Sequence, residues 1–222
     1  MVSEELIKSQ FEIAKLKFPK LHPPVRVGET WELIGAIDVI DNDGFLWDTY
    51  EIKIVVPNNY PEELFELQEI GNKIPKEANW HNDKSCCVST NATIYSTLGE
   101  DLSLLNWLVK FAHPFFANYI VKKETGEYAD GEFPHGIEGT VMGYEKLFDL
   151  KGAKAVYLKL KMICSVLQRG RNNQCFCGSR KKFKNCYLRS SSTHKNSGIP
   201  YSVLQNDLED ISTYLRRRKL LP

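Results

Sequence analysis

Apolar positions recur at helical spacing near the start of the chain. Ile7, Phe11, Ala14 and Phe18 fall at i, i+4, i+7 and i+11, which predicts an amphipathic helix over 3–18. Ser3 is placed to cap it, and Glu4 and Glu5 suit its positive end. LHPPV (21–25) stops it, because proline lacks an N–H and restrains the residue before it. The pattern then changes. TWELIGAIDVI (30–40) and FLWDTYEIKIVV (45–56) are rich in β-branched and aromatic residues and are joined by the turn sequence DNDG, so they read as strands of a meander. The prolines of PNNYPEELFEL (57–67) break the sheet, and LQEIGNKI (67–74) is a candidate further strand. Pro75 to Glu100 shows little periodicity, and so long a loop inside a compact domain is functional or poorly ordered. DLSLLNWLVKFAHPFFANYI (101–120) is the clearest helix, with Asp101 as its expected cap and Pro114 expected to kink or split it. GEYADGEFPHGIEGTVMGYEKLF (126–148) is Gly-rich and then helical, whereas KAVYLKLKMICSVLQRG (154–170) fits strand and helix equally. A terminal helix ending in RRRK closes the chain. Helix, antiparallel meander, long loop and helices, in that order, predict an α+β fold. GxGxxG and Walker loops are absent, so no nucleotide cofactor is expected.

Composition narrows the setting. An apolar fraction of 42% and a charged fraction of 26% are those of a soluble globular protein. No apolar run is long enough for a membrane helix, and MVSEELIKSQ lacks the apolar core of a secretory leader. The expected compartment is the cytoplasm, where six cysteines point to metal binding or catalysis rather than disulfides. The net charge of +1 hides an asymmetry: residues 1–150 hold 13 Lys and Arg against 25 Asp and Glu, and residues 151–222 hold 16 against 3. That split suits two units with different partners, a basic tail on an acidic body, or simply a solvated tail. A nucleic-acid adaptor is the weakest of the functions it suggests.

WHNDKSCCVST (80–90) concentrates the candidate chemistry. Zinc needs about four donors, and His81, Cys86 and Cys87 offer three, two of them adjacent. A buried inert pair is the second reading, since free cysteine is often a small core residue. The third is a nucleophile, favoured by the polar neighbours Asn82, Asp83, Lys84, Ser85, Ser89 and Thr90.

WELIGAI, YEIKIVVPNNYPEELFEL, WHN and CCVS, taken in order, resemble the ubiquitin-conjugating (UBC) family. VVPNNYP (55–61) stands where that family has its P-x-x-YP turn, His81 and Asn82 where its HPN begins, and Cys86-Cys87-Val88-Ser89 where its I-C-L-D lies. The downstream GEYADGEFPHGIEGTVMGYEKLF is similar to the G-E-x-x-HG-x-x-G-x-x-E-Y signature of bacterial UBC-like proteins, including those of CBASS anti-phage operons. The resemblance covers roughly 3–150. It implies a UBC-like fold, with Cys87 as nucleophile, Cys86 as the apolar residue before it, Asn82 as oxyanion donor and His81 as the residue that holds the loop. The implied reaction is thioester exchange. Cys87 accepts the C-terminal glycine of an activated protein, a cGAS/DncV-like nucleotidyltransferase, and passes it to an amine of an unidentified acceptor. With no ATP-binding motif in the chain, activation falls to a separate partner. His135 in FPHG either approaches the cysteine loop or is satisfied by a turn or helix cap, while Glu138 and Tyr144 read as structural. A UBC variant without chemistry, acting as an interaction module, is the alternative.

QCFCGSRKKFKNCYL (174–188) resembles the SEC-C motif, which implies a small structural zinc site. C-x-C sets two thiolates beside a tight Gly-Ser turn and a third returns later, and such a mini-domain without a core needs its metal. Cys175, Cys177 and Cys186 match, Tyr187 stands at the fourth ligand's place, and His194 is the candidate to complete the set. Cys164 reads as core. The expected organisation is a UBC-like conjugating domain at 1–150, a connecting segment at 151–173, the knuckle at 174–189, and a Ser-rich linker with a basic terminal helix at 190–222.

Overall fold

The structure, a computed structural model, describes residues 2–41, 43–76, 80–82, 85–128, 136–168, 172, 174, 180–182, 185 and 198–221. It is a mixed α+β fold that divides into two compact units. Unit 1 comprises residues 1–89 and 101–133, and unit 2 comprises 90–100 and 134–222.

Unit 1 begins with α1 (Glu4–Lys15), where Ser3 accepts a hydrogen bond from the Leu6 N–H at 3.2 Å and Ile7, Phe11 and Ala14 are buried. Four strands follow in the spatial order β1-β2-β3-β4, all antiparallel: β1 (Val25–Val27), β2 (Thr30–Ile40), β3 (Leu46–Val56) and β4 (Glu66–Glu69). Period-two alternation decides which face is apolar. Trp31, Leu33, Ile37 and Val39 of β2 are buried, as are Tyr50, Ile52, Ile54 and Val56 of β3. The expected strand at 67–74 is shorter than the sequence suggested, because at Ile70–Ile74 the chain turns back around the Glu69 carboxylate. That carboxylate accepts the N–H groups of Lys73 and Ile74 at 3.1 and 3.4 Å.

At Gly35 the chain after α1 crosses β2, where the Ala36 N–H donates to the Lys20 carbonyl and the His22 N–H to that of Ile34. A Cβ at Gly35 would sit 2.3 Å from the Lys20 oxygen and 2.7 Å from the Leu21 Cα. Both obstacles are backbone and neither rotates away. Gly35→Ala is therefore expected to cost about 1–3 kcal/mol, the range for overpacking. A denaturant midpoint within error of the wild type would show that the crossing yields freely.

The clearest helix is interrupted, as Pro114 led one to expect, but by a bulge rather than a break. α3 (Leu104–Trp107) passes into a π-helical stretch, Leu108–Ala112, and then into α4 (His113–Thr125), with Pro114 in the first turn of α4. The wider turn accommodates a residue that has no N–H to give. Its cap is Ser103, whose Oγ accepts from the Asn106 N–H, and not Asp101, which ends the preceding 3-10 turn. The core joins the sheet to these helices through Tyr60, Phe65 and Trp107, and through Tyr50 stacked on Phe116 at 4.5 Å.

Unit 2 is helical. It holds α2 (Asn91–Leu98), capped by Thr90, with α5 (Gly136–Phe148), α6 (Ala153–Gln168) and α7 (Tyr201–Arg217). The undecided segment at 154–170 is a helix, with Val156, Leu160, Ile163 and Cys164 buried at i, i+4, i+7 and i+8. The long unpatterned stretch contains one too, at Asn91–Leu98. Gly143 lets α5 approach α2, since a Cβ there would lie 2.8 Å from the Thr93 Oγ1.

Tyr144 is fully buried and donates to the Asp207 Oδ2 at 2.7 Å. Burial pushes the Asp207 carboxyl above its ordinary value of 3.8. Folded protein therefore holds that proton more tightly than unfolded chain does. This contribution is favourable at low pH and is lost as pH rises from about the ordinary value through the raised one. Asp207→Asn keeps an acceptor for Tyr144 and cannot ionise. Its stability relative to wild type should accordingly rise between acid and neutral pH in paired urea melts, and a pH-independent difference would refute the assignment.

Candidate functional site

The cysteine stretch forms a small hairpin. β5 (His81–Asn82) pairs antiparallel with β6 (Ser85–Cys86), setting His81 opposite Cys86 and Asn82 opposite Ser85. The Cys87 N–H donates to the Trp80 carbonyl at 2.9 Å, which extends the pairing by one residue. The Trp80 ring packs edge-on to Phe115 and Tyr119, at 5.6 and 5.0 Å, and lies 5.7 Å from Tyr128. The hairpin root is thus pinned to α4 by aromatic contact. β6 packs on β4, the last strand of the sheet.

The two thiols are unlike. Cys86 is buried, 6% exposed, and its pKa is pushed up to about 12. Burial is the main cause, a hydrogen bond with the Glu69 backbone opposes it, and the negative groups of Glu69 and Cys87 add to it. Cys87 is half-buried, and desolvation alone raises its pKa. Neither is an acidified thiolate at neutral pH. Chemistry at Cys87 needs an electrophile that is already activated.

Sequence reasoning missed Glu69, a buried acid on the inward face of β4. Its Oε2 holds the Lys73 and Ile74 N–H groups, while Oε1 has no hydrogen-bond partner among the described residues. The signal was present: Leu67 and Glu69 lie two apart in a strand whose Leu67 side is apolar, so Glu69 had to point inward as well.

Of the other candidates, His81 and Asn82 are placed by their backbone only, and their side chains lie outside the described residues, as does His135. Cys164 is buried in α6. Glu138 accepts from the Tyr214 hydroxyl and from Arg218, at 3.1 and 3.0 Å. Glu138 thus makes exposed contacts to α7, and Tyr144 makes a buried one to Asp207. Among the described residues no three His, Cys, Asp or Glu side chains converge as metal ligands.

The C-terminal candidate site is described at its flanks. Gln174 and Lys182 form an antiparallel bridge, Arg180 has a left-handed φ of 58°, and the Asn185 N–H closes a turn on the Lys182 carbonyl. The family model of the SEC-C motif matches residues 171–186. The SEC-C motif is a possible zinc-binding motif, and its expected ligands here, Cys175, Cys177, Cys186 and His194, lie outside the described residues. No curated protein and no solved structure matches the chain. No helix among the described residues is long and apolar enough to cross a membrane.

Proposed function

We propose that the chain is a UBC-like conjugating enzyme in which Cys87 carries the C-terminal glycine of a protein as a thioester. The observation that supports this reading is the cysteine hairpin. A half-exposed Cys87 ends it, a buried Cys86 precedes that thiol, and the hairpin packs on the last strand of a four-stranded meander. In the reaction, the Cys87 Sγ gives up its proton to solvent and attacks the activated glycine carbonyl, and the activating group departs with the electron pair of the broken bond. An amine of the acceptor then attacks the thioester, releases the Cys87 thiolate and loses a proton to solvent. Asn82 donates to the oxyanion and His81 holds the loop. Oxyanion donors of this kind contribute roughly 3–4 kcal/mol. On the same reading the protein carried is a cGAS/DncV-like nucleotidyltransferase, primed by a separate activating partner, and the setting is cytoplasmic anti-phage defence of the CBASS kind. The SEC-C motif binds structural zinc through Cys175, Cys177, Cys186 and His194.

The raised pKa of Cys87 favours a second reading, an interaction module of the same fold without chemistry. Co-expression with the neighbouring nucleotidyltransferase and its activating partner, followed by non-reducing gels, separates the two. An adduct that dithiothreitol releases supports the enzyme. No adduct in wild type, with the complex still formed, supports the module.

A further inference from the structure

A cavity of about 240 Å³ opens in unit 1 between the end of the β2–β3 hairpin and α4, away from the cysteine hairpin. Its walls are Val39 and Ile40 of β2, Trp47 of β3, and Ala117, Ile120 and Val121 of α4. The polar groups at the groove are Asp41, His113, Glu124 and Thr125. Burial, with Lys17 nearby, holds the His113 pKa below its ordinary value of 6.5, so His113 is neutral at pH 7. The charged side chains lining the groove are then both acidic.

The apolar surface does not stop at the groove. Trp47 is 55% exposed and Phe45 63%, and Ile40 and Leu46 are exposed beside them. Large apolar side chains clustered at one hairpin end mark an interaction surface. The Asp41 carboxylate fixes this edge. It accepts the N–H groups of Asp43 and Phe45 at 3.0 and 2.9 Å and the Trp47 indole N–H at 3.0 Å. Trp47 is thereby held in place before any partner arrives, which lowers the cost of binding.

We propose that this groove docks the apolar face of a basic amphipathic helix. Two observations select that occupant. The cavity lies below the roughly 300–1,000 Å³ of sites that enclose small molecules, and a small ligand would leave Phe45, Leu46 and much of Trp47 uncovered. The acidic groups at the groove, on a unit with 12 Lys and Arg against 21 Asp and Glu, select a cationic partner. An apolar anchor from the helix fills the cavity, a second covers Trp47, and a flanking Lys or Arg meets Glu124.

The test uses the full chain and a fluorescein-labelled leucine–lysine peptide, with leucines at i, i+3, i+4 and i+7, read by anisotropy. Saturable one-to-one binding is expected. Ala117→Phe fills the cavity without changing charge, and Glu124→Lys reverses an exposed charge at its rim. Each should weaken binding by about tenfold or more. Glu12→Lys on the exposed side of α1 makes the same charge change elsewhere and should leave affinity unchanged. Melting temperatures show that each variant is folded, and Glu124→Lys, being exposed, stands if Ala117→Phe is not. Equal losses in Glu12→Lys and Glu124→Lys would reduce the interaction to bulk charge and overturn the proposal. So would undiminished binding in Ala117→Phe. Displacement of the peptide by equimolar octylamine would overturn it in favour of a small-ligand site.

Discussion

On the proposed thioester chemistry, Cys87→Ala is expected to abolish the dithiothreitol-labile adduct and Cys86→Ala to retain it. The difference follows from where the hairpin pairing ends. Cys86 lies in β6, buried on β4 with a pKa of about 12, so at neutral pH it is neither ionised nor reachable. Its truncation removes a small buried sulfur and costs roughly 1 kcal/mol of stability. Cys87 is half-exposed and one residue beyond the paired strand. Because burial raises its pKa, the thiolate fraction at pH 7 is below that of a free cysteine. Alkylation of Cys87 by iodoacetamide should therefore be slower than that of glutathione at pH 7. The rate should keep climbing as pH passes the ordinary cysteine value of 9.0. The adduct, by contrast, should form readily at neutral pH, because an activated acyl donor needs little thiolate. Loss of the adduct in Cys86→Ala with Cys87 intact would mean that Cys87 is not the nucleophile, and its survival in both variants would remove cysteine chemistry altogether.

If the SEC-C motif holds zinc as proposed, elemental analysis of the dialysed full chain is expected to give about one equivalent in wild type and none in Cys177→Ser. A site of four donors that loses one thiolate no longer closes its tetrahedron. The rest of unit 2 should remain helical, because α7 buries Leu204, Ile211 and Leu215 and Tyr144 bonds to Asp207, none of which belongs to the motif. Unchanged circular dichroism alongside lost zinc therefore separates metal binding from general unfolding. His194→Ala then probes the fourth ligand, since Tyr187 occupies its usual place. Full zinc retention in Cys177→Ser would exclude the SEC-C motif as the site.

Much of the fold was legible because local physics and tertiary packing agree. α1 ends at Lys15, three residues short of the expected Phe18 and ahead of Pro19, while β2 covers 30–40 as its alternation indicates. β3 begins one residue later than expected because Phe45 belongs to the Asp41 turn. The terminal amphipathic helix was equally plain, since a period of 3.6 sustained over many residues fits no strand.

Other elements were illegible for specific reasons. Asn91–Leu98 is short and rich in β-branched residues, and its helix depends on the Thr90 cap and on the close approach that Gly143 permits, a contact distant in sequence. KAVYLKLKM satisfies both periods, and helix prevails because its i, i+4, i+7, i+8 set is what becomes buried. The candidate site divides the same way. Adjacent cysteines among polar residues marked the stretch as a candidate site from sequence alone. How far the two thiols differ was decided by strand pairing, which buries one against β4 and leaves the next half-open. The chain also enters unit 2 at residues 90–100 and returns, so one unit draws on two separate stretches of sequence. Sequence by itself determined the long strands β2 and β3, the first and last helices and the SEC-C motif, because each is specified by neighbours in the chain. Tertiary structure alone decided the Tyr144–Asp207 bond and the groove beside Trp47, because each arises where residues far apart in sequence exclude water together.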